Sequence, residues 1–339
     1  MARPGLLELV DRARSERRRL VAPLLGFPGV EMAGSNIKLA QQNFGEHYRA
    51  VKILADRFAP DLIFPLMDLS VEANAIGRTT VFPREDSATV VREPFHVGDI
   101  DRMQDIRIAF DSRILCLVET LKMMSIGLPS AILKGAYVVG PYTLAGLIMG
   151  ADEAAMATLT DKDGLHRLCG FAAEKVREYG RLLISAGAEV IAILEPTAVM
   201  LGPSQFREFS AEYVQDLARR FRRSGVASIY HVCGHTMHLV EAMAASGVAG
   251  LSLDSPEMGV DLRLAAKRVP PETILIGNIS PTAVMLHGTP ERVRAEVEAL
   301  LAGLEGVDRF VLSTGCDMPQ ETPPANIDAF MRAGRDHRP

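Results

Sequence analysis

From about residue 61 onward, short runs of β-branched and aliphatic residues alternate with stretches of helical apolar spacing. Parallel strands covered by helices on both faces read as nearly continuous hydrophobic runs. Such runs lie at 62–67, 131–139, 190–194, 228–232, 249–253, 274–277 and 310–313, with a weaker one at 88–91. Eight strands in this alternation predict an α/β fold, a (β/α)8 TIM barrel. Segments 165–185, 204–223, 237–245, 262–269 and 290–304 carry apolar residues three and four apart, which predicts helices between the strands. Gly225, Gly247 and Gly306 fall just past predicted helix ends, and Pro203, Pro290 and Pro324 at helix starts, where each residue type is favoured. No linker-like tract interrupts the pattern, so a single domain is expected. Residues 1–60 are read as a helical N-terminal extension and 61–339 as the barrel.

Composition narrows the function. The 339 residues hold 37 Lys+Arg against 42 Asp+Glu, a formal charge of −5, which argues against a nucleic-acid partner held through phosphates. A hydrophobic share of 48% supports a sizeable core, and four cysteines are too few for a disulfide-stapled secreted scaffold. No apolar run approaches the roughly 20 residues of a membrane-spanning helix. The N-terminal stretch 6–25 lacks a signal-peptide core, and its cluster Arg12, Arg14, Arg17, Arg18 and Arg19 reads as the solvated face of a leading helix. A cytoplasmic enzyme is expected, with no membrane partner; whether it forms a homo-oligomer is left open.

In a (β/α)8 barrel, catalytic groups stand at the C-terminal ends of the strands. Here those ends carry Asp68, Gly140-Pro141-Tyr142, Glu195, His231 and Cys233, Asp254, Asn278, and Cys316-Asp317. His231-x-Cys233 is the strongest local signal, because residues i and i+2 of a strand share a face and project together into the mouth. Cys316 follows the last strand and returns to the same mouth. One nitrogen and two sulfur ligands with a fourth position open fit a catalytic Zn2+ site. Asp254 ends the next strand and is the candidate fourth ligand. Glu195 and His235 are candidates to accept a proton or to orient His231, although Asp68, Glu195 and Asp254 each have a plainer reading as turn or cap residues. Cys116 and Cys169 fall within helical patterns and read as small core hydrophobes.

At these residues the sequence resembles the uroporphyrinogen decarboxylase superfamily, and within it the methylcobalamin:coenzyme M methyltransferase branch. The resemblance runs from about residue 63 to 331 and rests on DLSVEANAIG, GPYTLAGLIMG, EPTAVMLGPSQFREF, YHVCGHT, GNISP and STGCDMPQETPPANIDAF in that order. The branch's zinc motif, His-x-Cys with a distant Cys, falls on His231, Cys233 and Cys316. The decarboxylases carry an N-terminal loop of the form Met-Arg-Gln-Ala-Gly-Arg for a polycarboxylate tetrapyrrole. This chain has Glu31-Met32-Ala33-Gly34-Ser35-Asn36 there, without either arginine. A second resemblance, to the zinc barrel of cobalamin-independent methionine synthase, implies a ligating carboxylate close to Asp254.

What the resemblance implies is methyl transfer between a corrinoid and a zinc-activated thiol such as coenzyme M. Free thiols titrate near ~8.5, so activation by metal is needed at neutral pH. Asp68, Tyr142, Asn278 and Asp317 would line the substrate or corrinoid cavity. The chain has no Asp-x-His-x-x-Gly corrinoid-binding motif, so the corrinoid is expected on a separate corrinoid protein. The rival expectations are a metal-free decarboxylase, a methyltransferase that loads a corrinoid protein from a small methylated donor, and a non-enzymatic corrinoid-binding module.

Overall fold

The computed structural model describes residues 5–338. Its strands are β1 (Leu20–Val21), β2 (Leu62–Ile63), β3 (Thr80–Val81), β4 (Thr89–Val90), β5 (Leu133–Val139), β6 (Val190–Leu194), β7 (Ala227–Val232), β8 (Gly250–Leu253), β9 (Ile274–Ile279) and β10 (Phe310–Thr314). Eight of them form one parallel sheet in the order β1-β10-β9-β8-β7-β6-β5-β2, with helices packed outside it. This is the predicted (β/α)8 barrel.

Two expectations are corrected. The run at 88–91 is not a barrel strand: β4 pairs antiparallel with β3 in a separate two-stranded ribbon, and neither is buried. Its β-branched residues suit any strand, but it lacks the apolar cover on both faces that marks a parallel one. The missing barrel strand is β1, inside the segment read as leading helices outside the barrel. Helices do occupy most of that segment, at Leu6–Ser15, Pro28–Met32, Ile37–Gln42 and Phe44–Phe58. Two residues between Arg19 and Ala22 are too few to carry a period, so β1 was hidden.

Asp61 bridges the seam between β1 and β2. Its carboxylate accepts the Val21 N–H at 2.7 Å, its own N–H donates to the Val21 carbonyl at 3.0 Å, and its carbonyl accepts the Leu133 N–H at 2.9 Å. The arginine cluster also belongs to this seam. Arg18 reaches Asp61 at 3.1 Å, and Arg19 is buried, donating to the carbonyls of Val307 at 2.6 Å and Asp308 at 3.0 Å. Its reading as a wholly solvated face is therefore wrong for Arg19.

Alternation along the strands separates two cores. Outward residues such as Ile193, Tyr230 and Leu312 pack under the helices, while Leu20, Leu62, Leu133, Ile229, Ile274 and Val311 fill the barrel. Leu6, Val10 and Ala13 of the first helix join the inner core, which places that helix at the N-terminal end of the barrel. Burying Leu6 and Val10 there contributes roughly 1.5–3 kcal/mol each. No helix among the described residues is long and apolar enough to cross a membrane.

Candidate metal centre

His231 faces inward from the end of β7, and Cys233 follows on the same face. Gly234 then turns the chain with φ 88°, a left-handed conformation that suits glycine. Cys316 arrives from the segment after β10. The three donors converge: His231 Nε2 lies 2.9 Å from Cys233 Sγ and 3.8 Å from Cys316 Sγ, and the two sulfurs are 3.5 Å apart. Among the described residues these are the ones that could together hold a metal ion. Register pairs His231 with Ser252 of β8, and His231 Nδ1 meets Ser252 Oγ at 3.0 Å. With Nδ1 engaged, Nε2 is left to face the sulfurs.

The donor set fits zinc. With Zn–S near 2.3 Å and Zn–N near 2.0 Å, tetrahedral geometry sets the donors roughly 3.5–3.8 Å apart. Two edges of the triangle already match. The His231–Cys233 edge would open from 2.9 Å to roughly 3.5 Å. Without metal the thiols compete for ionisation. Hydrogen bonding from Cys233, with help from His231, draws the Cys316 thiol well down, while its bond to Cys316 and burial push Cys233 up.

A family model described as uroporphyrinogen decarboxylase (URO-D) matches residues 45–337. The chain belongs to the uroporphyrinogen decarboxylase family. It is 28% identical over 246 residues to the methylcobamide:CoM methyltransferase MtbA of Methanosarcina mazei, an alignment covering 72% of this chain and 69% of that protein. Three other Methanosarcina methylcobamide:CoM methyltransferases are spanned over only 63–65% of their length. A uroporphyrinogen decarboxylase of Synechococcus is 25% identical over 319 residues, 91% of this chain and 86% of that one. Among solved structures, a methyltransferase from Methanosarcina mazei superposes with a TM-score of 0.84 at 22% identity, covering 98% of each chain, a likeness of fold.

Within this family member, the other strand-end residues split sharply from the cluster. Asp254 is not among the convergent donors: its carboxylate accepts the Gly234 N–H at 2.7 Å and the Ser255 N–H at 2.6 Å, so it fixes the turn after Cys233. Glu195 is buried and turned away, accepting the N–H groups of Tyr142 at 3.0 Å and Thr143 at 2.7 Å and the Ser210 hydroxyl at 3.1 Å. It caps the helix Pro141–Met149, and Gly140 is what admits it, since a Cβ there would stand 2.0 Å from the Glu195 side chain. Burial raises its pKa to about 7. His235 is exposed, stacked on His238 at 5.8 Å, and does not touch His231; Ser252 takes the orienting role assigned to it.

Asp68 forms a buried ion pair with Arg113 and accepts both the N–H and hydroxyl of Ser70, leaving little carboxylate free for a ligand. Tyr142 packs in the outer core, away from the mouth. Asn278 straps the loops after β8, donating to the carbonyls of Asp254 at 2.8 Å and Val260 at 3.2 Å. Asn278 lines a cavity of about 550 Å3 with Glu257, Asp261 and Arg263, and Asp68 lines a small one beside Tyr179, whereas Asp317 stays next to Cys316. Its carboxylate accepts the Met318 N–H at 3.0 Å, and burial followed by the Cys316 charge holds its pKa well above the usual range. Cys116 and Cys169 are buried as expected, and burial pushes the Cys116 thiol up to about 11.

Sequence reasoning missed Ser252 and Tyr137. Each is a polar tip on the inward face of an otherwise apolar strand, the same alternation signal that found His231. Together with His231 and Met67 they line a cavity of about 20 Å3 in the barrel interior beneath the cluster.

Proposed function

We propose that this protein is a corrinoid-dependent methyltransferase that moves a methyl group between a corrinoid and a small thiol bound at His231, Cys233 and Cys316. The observation that carries the reading is the convergence of one imidazole and two thiols at the barrel mouth, at spacings suited to zinc. Zinc held there would let a bound thiol ionise at neutral pH and so act as a nucleophile. The two cysteine thiolates would neutralise the dication, so a third, substrate thiolate keeps much of its electron density. Ser252 holds the imidazole in one orientation, and Asp254 holds the Gly234 turn that carries Cys233. The names of the Methanosarcina relatives support coenzyme M as one candidate thiol and a methylcobamide as the methyl carrier.

Decarboxylation is the second reading, favoured by the 91% coverage of the Synechococcus alignment. Against it, residues 31–36 contain no arginine, so substrate carboxylates would lack their cationic partners there. The deciding experiment incubates zinc-loaded protein with methylcobalamin and coenzyme M, homocysteine or 2-mercaptoethanol. Loss of the methylcobalamin visible spectrum with formation of the methyl thioether is expected. A zinc-loaded protein inert toward all three thiols, yet active on uroporphyrinogen without metal, would establish the decarboxylase instead.

A further inference from the structure

Tyr137 and Phe64 form an aromatic pair inside the barrel. Tyr137 stands on the inward face of β5, its ring stacked on Phe64 with 4.6 Å between centroids and 15° between planes. Two residues earlier on the same face, Gly135 makes room for this stack: a Cβ there would lie 2.3 Å from the Phe64 ring. The missing side chain lets Phe64 lie against the strand, and Phe64 sets the plane of Tyr137. Tyr137 is only 7% exposed, yet its hydroxyl forms no hydrogen bond with the described residues. Unlike the Tyr142 hydroxyl, it is not sealed among packed atoms, so a ligand or a water can reach it.

Its surroundings indicate what that partner is. A phenol keeps its proton at neutral pH, so the hydroxyl is available as a donor. Tyr137 also lines the small interior cavity with His231 and Ser252, and about 20 Å3 is room for a methyl-sized group or one water. An unpartnered donor therefore shares its cavity with His231, the imidazole of the cluster.

We propose that Tyr137 donates a hydrogen bond to the sulfur of a thiol bound at the His231–Cys233–Cys316 cluster, and so positions the methyl acceptor. This inference rests on the methyl-transfer reading above. The proton stays on the phenol; the bond orients the thiolate and tempers its charge. Losing it weakens thiol binding while leaving the bound sulfur at least as nucleophilic.

The test titrates three zinc-loaded proteins calorimetrically with coenzyme M, homocysteine and 2-mercaptoethanol: wild type, Tyr137→Phe and Tyr142→Phe. The last is the control, because the Tyr142 hydroxyl likewise has no partner but is buried in the outer core. Wild type is expected to bind at least one thiol. Tyr137→Phe should weaken that binding about tenfold or more, with zinc content and Tm unchanged, and Tyr142→Phe should bind as wild type does. With methylcobalamin as donor, KM for the thiol should rise by the same factor in Tyr137→Phe without a fall in kcat. Equal thiol affinity in wild type and Tyr137→Phe overturns the inference and leaves the methyl-transfer reading standing. Loss of zinc or of Tm in Tyr137→Phe also overturns it, by assigning the ring a structural role. If zinc-loaded wild type binds none of the thiols, the methyl-transfer reading falls and the inference with it.

Discussion

At the N-terminal end of the barrel, inward positions carry Leu20, Leu62, Leu133 and Ile274 and are joined by the first helix; at the other end, the same inward register carries His231, Ser252 and Tyr137. The strand alternation is identical, but the two ends answer to different requirements. Apolar side chains need only neighbours of the right volume, and the lower end supplies them from a helix. Polar inward groups need partners, and at the upper end those are one another or a ligand. Variants at the lower end should therefore change stability and leave metal binding intact, while variants at the upper end should do the reverse.

The largest effect is expected from Arg19→Ala at the lower end. It removes a buried guanidinium and leaves the carbonyls of Val307, Asp308 and Leu304 short of a donor. Roughly 3 kcal/mol of stability should be lost in urea unfolding, with zinc content per folded chain unchanged. Loss of zinc in the folded variant would break the separation of the two ends.

A pH dependence should follow from Glu72, which is buried in the short helix Val71–Ala75 outside the inward register and accepts the Val139 N–H at 2.8 Å. Burial raises its pKa from 4.5 to about 8 in the folded state, so folding favours its protonated form. Its stabilising contribution is full below pH 4.5 and is lost as pH rises through 8. Tm should fall over that window, and Glu72→Gln should flatten the fall; an equally steep profile in the variant would assign the effect to other groups. The smallest shift is expected from Ser252→Ala, which frees His231 Nδ1. Zinc affinity should drop about tenfold, ~1.4 kcal/mol, with stability of the metal-free protein nearly unchanged.

Sequence patterning made much of this architecture legible. Strands β5 to β10 are long, apolar runs, and each was visible as such. The strand β1 was not, because Leu20–Val21 are two residues between arginine and alanine, and the hairpin strand Thr89–Val90 offered a false substitute. The cluster was legible because His231, Cys233 and Cys316 combine alternation with ligand chemistry. The roles of Glu195 and Asp254 were not. A carboxylate at a strand end can face the mouth or fold back onto N–H groups, and its neighbours decide: Gly140 gives Glu195 room against a helix start, and the Gly234 turn presents its N–H to Asp254. Those choices depend on packing between segments far apart in the chain.

Elemental analysis of purified protein and its cysteine variants tests whether the upper end holds zinc through His231, Cys233 and Cys316. Wild type, Cys116→Ala and Cys169→Ala should each carry about one zinc per chain, and Cys233→Ala and Cys316→Ala should carry almost none. Full zinc occupancy retained in both Cys233→Ala and Cys316→Ala would contradict it.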